Sequence, residues 1–179
     1  MTRTEAVNLT IDGAGRAVVV FTDLDGTLMD HDSYDVAPAQ AALEALAARS
    51  IPVVPVTSKT RTELVPLMAR LGLSAPAIAE NGAIIMNTDG VPDTAVAREK
   101  ITLALDALPK NIRKAMICFR DMEIEQIATA TGLTHAAAIR AAAREASEPF
   151  MWQGKAPPLT TMTEMLSETL EKFDLRLTQ

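Results

Sequence analysis

The run Ala17-Val18-Val19-Val20-Phe21 passes directly into Thr22-Asp23-Leu24-Asp25-Gly26-Thr27. An apolar stretch without polar alternation suits a strand covered on both faces, as in the middle of a parallel sheet. Side chains alternate across a strand, so Asp23 and Asp25 leave its C-terminal end on the same side. In open α/β sheets, ligands bind at that end. Gly26 permits a sharp turn there, and Thr27 adds a hydroxyl and a backbone donor. Two adjacent carboxylates repel, so one holds its proton unless a cation intervenes. One residue type can then supply both a nucleophile and a general acid. Magnesium is a natural partner, since it takes oxygen ligands and needs only one or two carboxylates besides phosphate. A bare D-x-D-G-T is also compatible with a solvated loop; the apolar strand ahead of it favours catalysis.

The chain continues in an alternating pattern. Pro38 opens an amphipathic helix with Leu43, Leu46 and Ala47 on its apolar side, ending near Ser50. Residues 51–57 (IPVVPVT) read as a short strand, with Pro52 and Pro55 pointing to an edge or irregular ladder. A helix follows over SKTRTELVPLMARLGL, stopped at Gly72. APAIAENGAIIM reads as strand, turn at Asn81-Gly82, and strand. This β-α-β-α-β order predicts a doubly wound, Rossmann-like parallel α/β sheet. The turn-rich stretch NTDGVPD ends it, giving expected domains of residues 1–89 and 90–179.

The second half reads as an α+β lobe. Helices are expected over residues 95–108, 123–131 and 134–146, with short strands at AMICF and EPFMW. Thr161 and Glu164 have capping-box spacing for a last helix carrying Met162, Leu166, Leu170 and Phe173.

The second strand ends in Thr57-Ser58-Lys59-Thr60-Arg61. Hydroxyls and amides at a helix N-terminus cradle phosphate, making Thr57, Ser58 and Lys59 candidate phosphate-binding residues. Lys59 and Arg61 sit where the helix dipole disfavours cations by roughly 0.3–1 kcal/mol each, which makes sense with an anion between them. The plainer alternative is a Ser/Thr helix cap with exposed basic neighbours, because capping uses the same groups.

Composition narrows the partners. A net charge of -6 and a pI near 4.9 argue against nucleic acid or an anionic membrane. The single cysteine, Cys118, rules out an internal disulfide framework and reads as a small buried side chain. No apolar run has signal-peptide or membrane-spanning length, so the expected location is cytoplasmic. Aromatic residues are only 3% of the chain, so aliphatic side chains must fill the core. His31 and His135 read as surface histidines, and Trp152 as packing within the second lobe.

The stretch VVVFTDLDGT resembles the first motif of the haloacid dehalogenase (HAD) superfamily of aspartate-nucleophile phosphohydrolases. The resemblance implies that Asp23 attacks phosphorus to form an aspartyl-phosphate. It implies that Asp25 protonates the leaving oxygen and then activates water. Magnesium would be bound by the Asp23 carboxylate and the Asp25 main-chain carbonyl, and Thr57 would hold the transferring phosphoryl group. FTDLDGTLMDHDSYD, PVTSKTRTE, AENGAIIM, RDMEIEQIATATGL and REASEPFMW together resemble the mannosyl-3-phosphoglycerate phosphatase family. The likeness runs from about residue 17 through nearly the whole chain. It departs where Ala146 replaces a frequent phenylalanine, and where a G-F-x-D stretch before Met122 is shorter.

In that family the second lobe is a cap that selects the sugar-glycerate part of the substrate. Arg144, Glu145, Ser147 and Glu148 are then the candidates for contacting the glycerate carboxylate and the sugar hydroxyls. An arginine fork suits a carboxylate or phosphate. Arg144 and Glu148 would otherwise form an i,i+4 pair on a helix end, worth roughly 0.2–0.5 kcal/mol. The resemblance also implies a lysine and a G-D-x-x-x-D or G-D-x-x-N-D cluster after the cap. No G-D-x-x-x-D occurs after residue 30, and the sequence ends in LEKFDLRLTQ. The expectation is a chain lacking the C-terminal core segment, with impaired turnover and a sheet edge open to self-association. Three functions stay open: a magnesium-dependent phosphatase of mannosyl- or glucosyl-3-phosphoglycerate, a silent sugar-phosphate binding or partner module, and another phosphosugar reaction such as sucrose-phosphate hydrolysis.

Overall fold

The computed structural model describes residues 10–11, 17–30, 35–74, 76–86, 94–154 and 157–178. The chain divides into two compact units, residues 1–92 and 93–179. His31 and the whole of the expected NTDGVPD boundary lie outside the described residues.

In the first unit, strands β1 (Thr10–Ile11) and β2 (Ala17–Val18) pair antiparallel. Strand β3 (Val20–Thr22) pairs in parallel with β4 (Val53–Pro55), in the register Val20–Val53, Phe21–Val54 and Thr22–Pro55. The expected single strand over residues 17–22 is therefore broken at Val19, where the chain changes partners from β1 to β4. Its burial also differs from expectation, since Phe21 is 61% exposed.

Helix α1 (Ala37–Ala48) connects β3 to β4, with Pro38 in its first turn and Leu43 buried. Helix α2 (Arg61–Leu71) follows β4, buries Leu64, Met68 and Leu71, and ends at Gly72 in a left-handed conformation. Beyond it, β5 (Ala77–Ala79) and β6 (Ile84–Met86) form the antiparallel hairpin read from AIAENGAIIM.

Of the two expectations from the prolines, the irregular ladder holds and the edge does not: β4 has a regular ladder to β3 and only an isolated bridge to β5. Val53, Val54 and Pro55 are all buried, and Val56 bridges Ile78 in parallel on the side away from β3. The N–H groups explain how a proline fits: Val56 donates to the Thr22 carbonyl of β3 (2.8 Å) and Thr57 to the Ile78 carbonyl (2.9 Å). Pro55 lacks only the donor that precedes the β5 contact.

The second unit opens with α3 (Thr94–Ala107) and a short α4 (Lys110–Ala115) that the sequence reading did not include. Strand β7 (Met116–Cys118) pairs antiparallel with β8 (Phe150–Trp152). Between them lie α5 (Ile124–Thr131) and α6 (His135–Ala142). Ile127, Ala138 and Ala141 are buried. The small side chains of Ala138 and Ala141 let α6 pack closely along its buried face.

Helix α6 ends four residues earlier than expected, because Ala143 leaves the helical region with ψ 50°. The final helix, α7 (Leu159–Lys172), starts at Pro158 with no side-chain cap, so the Thr161–Glu164 spacing is not used as a helix start. A core of Ile101, Leu105, Leu108, Ile112, Met116, Cys118 and Leu166 joins α3, α4, β7 and α7. Trp152 packs against this core, edge-on to Phe150 with centroids 5.9 Å apart, and its indole N–H points at the Met162 sulfur. It packs, as the sequence suggested. His135 is an exposed histidine paired with Glu125.

Cys118 is fully buried, and desolvation pushes its thiol up to about 11. Its backbone N–H donates to Asp121, whose carboxylate also takes two 2.9 Å bonds from Arg113. Burial alone would raise Asp121; the Arg113 and Cys118 bonds outweigh it and hold the carboxyl below its ordinary range. At pH 8 the buried thiol stays protonated, and the thiolate is the reactive form. A thiol reagent such as iodoacetamide is therefore expected to leave Cys118 unmodified in the folded protein and to label it fully in urea; intact mass measures both.

Candidate active site

At the tip of β3 the expected alternation holds. Leu24 is fully buried between Asp23, which is exposed, and Asp25, whose side chain is 31% exposed. The loop that follows closes tightly on itself. The Leu24 carbonyl accepts from the N–H groups of Thr27 (3.2 Å) and Met29 (2.9 Å), and Gly26 N–H donates to the Met29 carbonyl (2.8 Å). Gly26 has φ +73°, which a residue with a Cβ adopts only with strain.

Because β3 and β4 run parallel, the chain segments after Thr22 and Pro55 emerge at one end of the sheet. Thr57 is 3% exposed, and its hydroxyl oxygen accepts from the Lys59 N–H at 3.2 Å. That leaves the hydroxyl proton as a donor. The turn after β5 locks this segment: Glu80 N–H donates to the Lys59 carbonyl and Asn81 N–H to the Thr57 carbonyl, both at 3.0 Å. Glu80 and Asn81 reach those carbonyls with φ of 49° and 58°, a left-handed conformation that costs non-glycine residues energy.

Lys59 bends back to the strand tip. Its Nζ lies 2.9 Å from Asp25 Oδ2, joining the two sequence segments by an ion pair. Ser58 is exposed beside it.

Helix α2 starts one residue after Thr60, not at Ser58. Thr60 and Glu63 form a capping box: Glu63 N–H donates to the Thr60 hydroxyl oxygen (3.2 Å), and Thr60 N–H donates to the Glu63 carboxylate (2.8 Å). The T-x-x-E spacing was visible in the sequence, and it separates the two uses considered for this segment. Thr60 caps, while Thr57 and Lys59 stand ahead of the helix.

In the second unit, Arg144, Glu145 and Ser147 lie on the loop between α6 and β8. Arg144 donates to the Ser147 hydroxyl (3.2 Å) and to the Ala141 carbonyl (3.1 Å). Glu148 pairs with Arg98 of α3 (3.1 Å), not with Arg144, and its other oxygen accepts from the Arg120 N–H (3.0 Å). The helical i,i+4 alternative fails because α6 has already ended. Arg98 also donates to the Ser147 carbonyl (3.2 Å). Nothing local in the sequence signals this partnership, since Arg98 and Glu148 are separated by 50 positions.

Among the described residues no group of three or more His, Cys, Asp or Glu side chains could hold a metal ion. The donors at the β3 tip are oxygens only, from Asp23 and Asp25. Magnesium is ordinarily held by one or two carboxylates with phosphate and water completing its shell, so this donor set fits magnesium and not a metal that prefers sulfur.

Residues 20–143 match the family of haloacid dehalogenase-like hydrolases. The chain belongs to that family. Its α/β fold is the HAD-like one expected from the sequence. Among solved structures, a haloacid dehalogenase-like hydrolase from Bacteroides thetaiotaomicron is 22% identical with a TM-score of 0.36, covering 40% of this chain and 28% of its own. A HAD subclass IIB sugar phosphatase is 20% identical (TM-score 0.41), covering 57% of this chain and 40% of its own. A protein from Thermotoga maritima is 20% identical (TM-score 0.47), covering 86% of this chain and 62% of its own. The chain thus spans less than two thirds of each of these proteins. No described helix of this HAD-like chain is long and apolar enough to cross a membrane.

The capping box gives a direct stability test. Thr60→Ala is expected to lower unfolding free energy by about 1 kcal/mol, seen as a reduced urea midpoint with an unchanged slope.

Proposed function

We propose that the chain carries the phosphoryl-transfer residues of a magnesium-dependent phosphomonoester hydrolase. Its proposed substrate is mannosyl-3-phosphoglycerate or the glucosyl counterpart. The observation that carries this reading is the exposed Asp23 just past the end of β3, with Asp25 two residues on and the buried Thr57 just past the end of the adjacent parallel strand β4.

An Asp23 carboxylate oxygen attacks phosphorus while the bond from phosphorus to the sugar-glycerate oxygen breaks. Asp25 gives a proton carried on Oδ1 to the departing oxygen, while its Oδ2 accepts from the Lys59 ammonium. The Asp25 carboxylate then takes a proton from water, whose oxygen attacks the aspartyl-phosphate. Orthophosphate leaves and the Asp23 carboxylate is restored. Thr57 donates its hydroxyl proton to a phosphoryl oxygen and so fixes the angle of attack. The Asp23 carboxylate and the Asp25 main-chain carbonyl would hold magnesium, which when bound would supply positive charge against the phosphoryl oxygens.

Arg144, Glu145 and Ser147 are the proposed selectors of the glycerate and sugar groups. Arg144 already holds the Ser147 hydroxyl, so the two present a joined donor set suited to a carboxylate.

The resemblance assigns a further lysine and an acidic cluster beyond the cap, so the assay uses the chain and a version extended by the downstream coding sequence. Phosphate release from mannosyl- and glucosyl-3-phosphoglycerate should exceed release from sucrose phosphate. Asp23→Asn should abolish it, and Thr57→Ala should lower kcat by about 10²-fold, the usual cost of one preorganised donor. Unchanged hydrolysis in Asp23→Asn would remove the mechanism.

A further inference from the structure

We infer that Lys59 is a cation that stabilises the phosphoryl group as it passes to Asp23, in addition to the magnesium proposed above, and that Asp25 holds it in place for that task; the inference rests on the phosphomonoesterase reading above. The motivating contact is the 2.9 Å ion pair between Lys59 Nζ and Asp25 Oδ2. Lysine side chains mostly lie in water, yet this one is only 17% exposed and turns toward the strand tip. Partial burial of both ions costs hydration, so an exposed surface pair would have been the cheaper arrangement.

The backbone beneath Lys59 is also fixed on both sides. Its N–H is used on the Thr57 hydroxyl oxygen, and its carbonyl accepts from Glu80 across the hairpin turn. Two successive non-glycine residues, Glu80 and Asn81, take left-handed conformations in making that turn. A stabiliser held by a rigid backbone needs no reorganisation when charge develops, which is the condition for electrostatic catalysis.

Charge balance points the same way. Asp23 and Asp25 both face an incoming phosphoryl group that is itself anionic. Lys59 lies against Asp25 and offsets that repulsion. As the bond from phosphorus to Asp23 forms and the bond to the leaving oxygen breaks, charge spreads over the equatorial phosphoryl oxygens. The ammonium stabilises those oxygens without gaining or losing a proton. The lysine comes from the segment directly after β4, ahead of the capped helix.

The test is binding of beryllofluoride, a mimic of a phosphorylated aspartate, to the full chain in magnesium buffer, followed by fluorine NMR. Lys59→Met is expected to bind it on the order of 10²-fold more weakly, and Lys59→Arg, which keeps the charge, to recover part of the loss. Lys59→Gln, which can still hydrogen-bond Asp25, should lose as much as Lys59→Met and replaces it if the methionine variant unfolds. Equal affinity in the unmodified protein and both neutral variants, with binding abolished by Asp23→Asn, would show Lys59 to be a structural counter-ion and overturn the inference alone. No binding to the unmodified protein, or undiminished binding to Asp23→Asn, would overturn the phosphoryl-transfer reading and this inference with it.

Discussion

The parallel register of β3 and β4 is the constraint on which the site depends. Pairing Thr22 with Pro55 sets the chain after each strand at the same end of the sheet. A slip of one residue would turn Leu24 outward and bury the acids, because side chains alternate. Burial of Leu24 therefore does two things at once: it anchors the loop and keeps Asp23 and Asp25 on the open side. The antiparallel hairpin that follows adds the turn whose amides grip the Thr57 and Lys59 carbonyls.

The electrostatics of this end of the sheet are local. The chain carries a net charge of -6, and a phosphorylated ligand gains nothing from its overall field. For the proposed phosphorylated substrate, attraction would come from a few local groups: the Lys59 ammonium beside Asp25, the buried Thr57 hydroxyl and a magnesium ion. In the second unit a comparable economy holds the loop of residues 143–149. One carboxylate, Glu148, takes both the Arg98 guanidinium and a backbone amide, and its side chain is only 7% exposed. That bond set fixes the loop carrying Arg144 and Ser147, two residues linked to each other by a hydrogen bond.

Much of the first unit was legible from local pattern. The apolar run, the helix started by Pro38, the stop at Gly72 and the turn at Asn81-Gly82 all rest on propensities that act within a few residues. The misreadings share one physical cause, which is dependence on partners distant in sequence. Pro52 and Pro55 left an edge and an irregular ladder both open, because the direction of each N–H in β4 is set only once both neighbouring strands are in place. Helix α6 was expected to continue to Ala146, since alanine favours helix; the pull of Glu148 toward Arg98 and Arg120 lies outside any local rule. The Lys59–Asp25 pair was likewise invisible, although both residues had been singled out, because sequence does not say where a four-carbon side chain ends.

The central claim is that Asp23 becomes covalently phosphorylated. Mixing the protein with magnesium and a phosphorylated sugar-glycerate, quenching in acid within the first turnover and reducing with borohydride would convert an aspartyl-phosphate to homoserine, which peptide mass spectrometry can place. The account predicts homoserine at position 23 and at no other acid. Phosphate release with an unmodified Asp23, or with the mark on Asp25 instead, would contradict it.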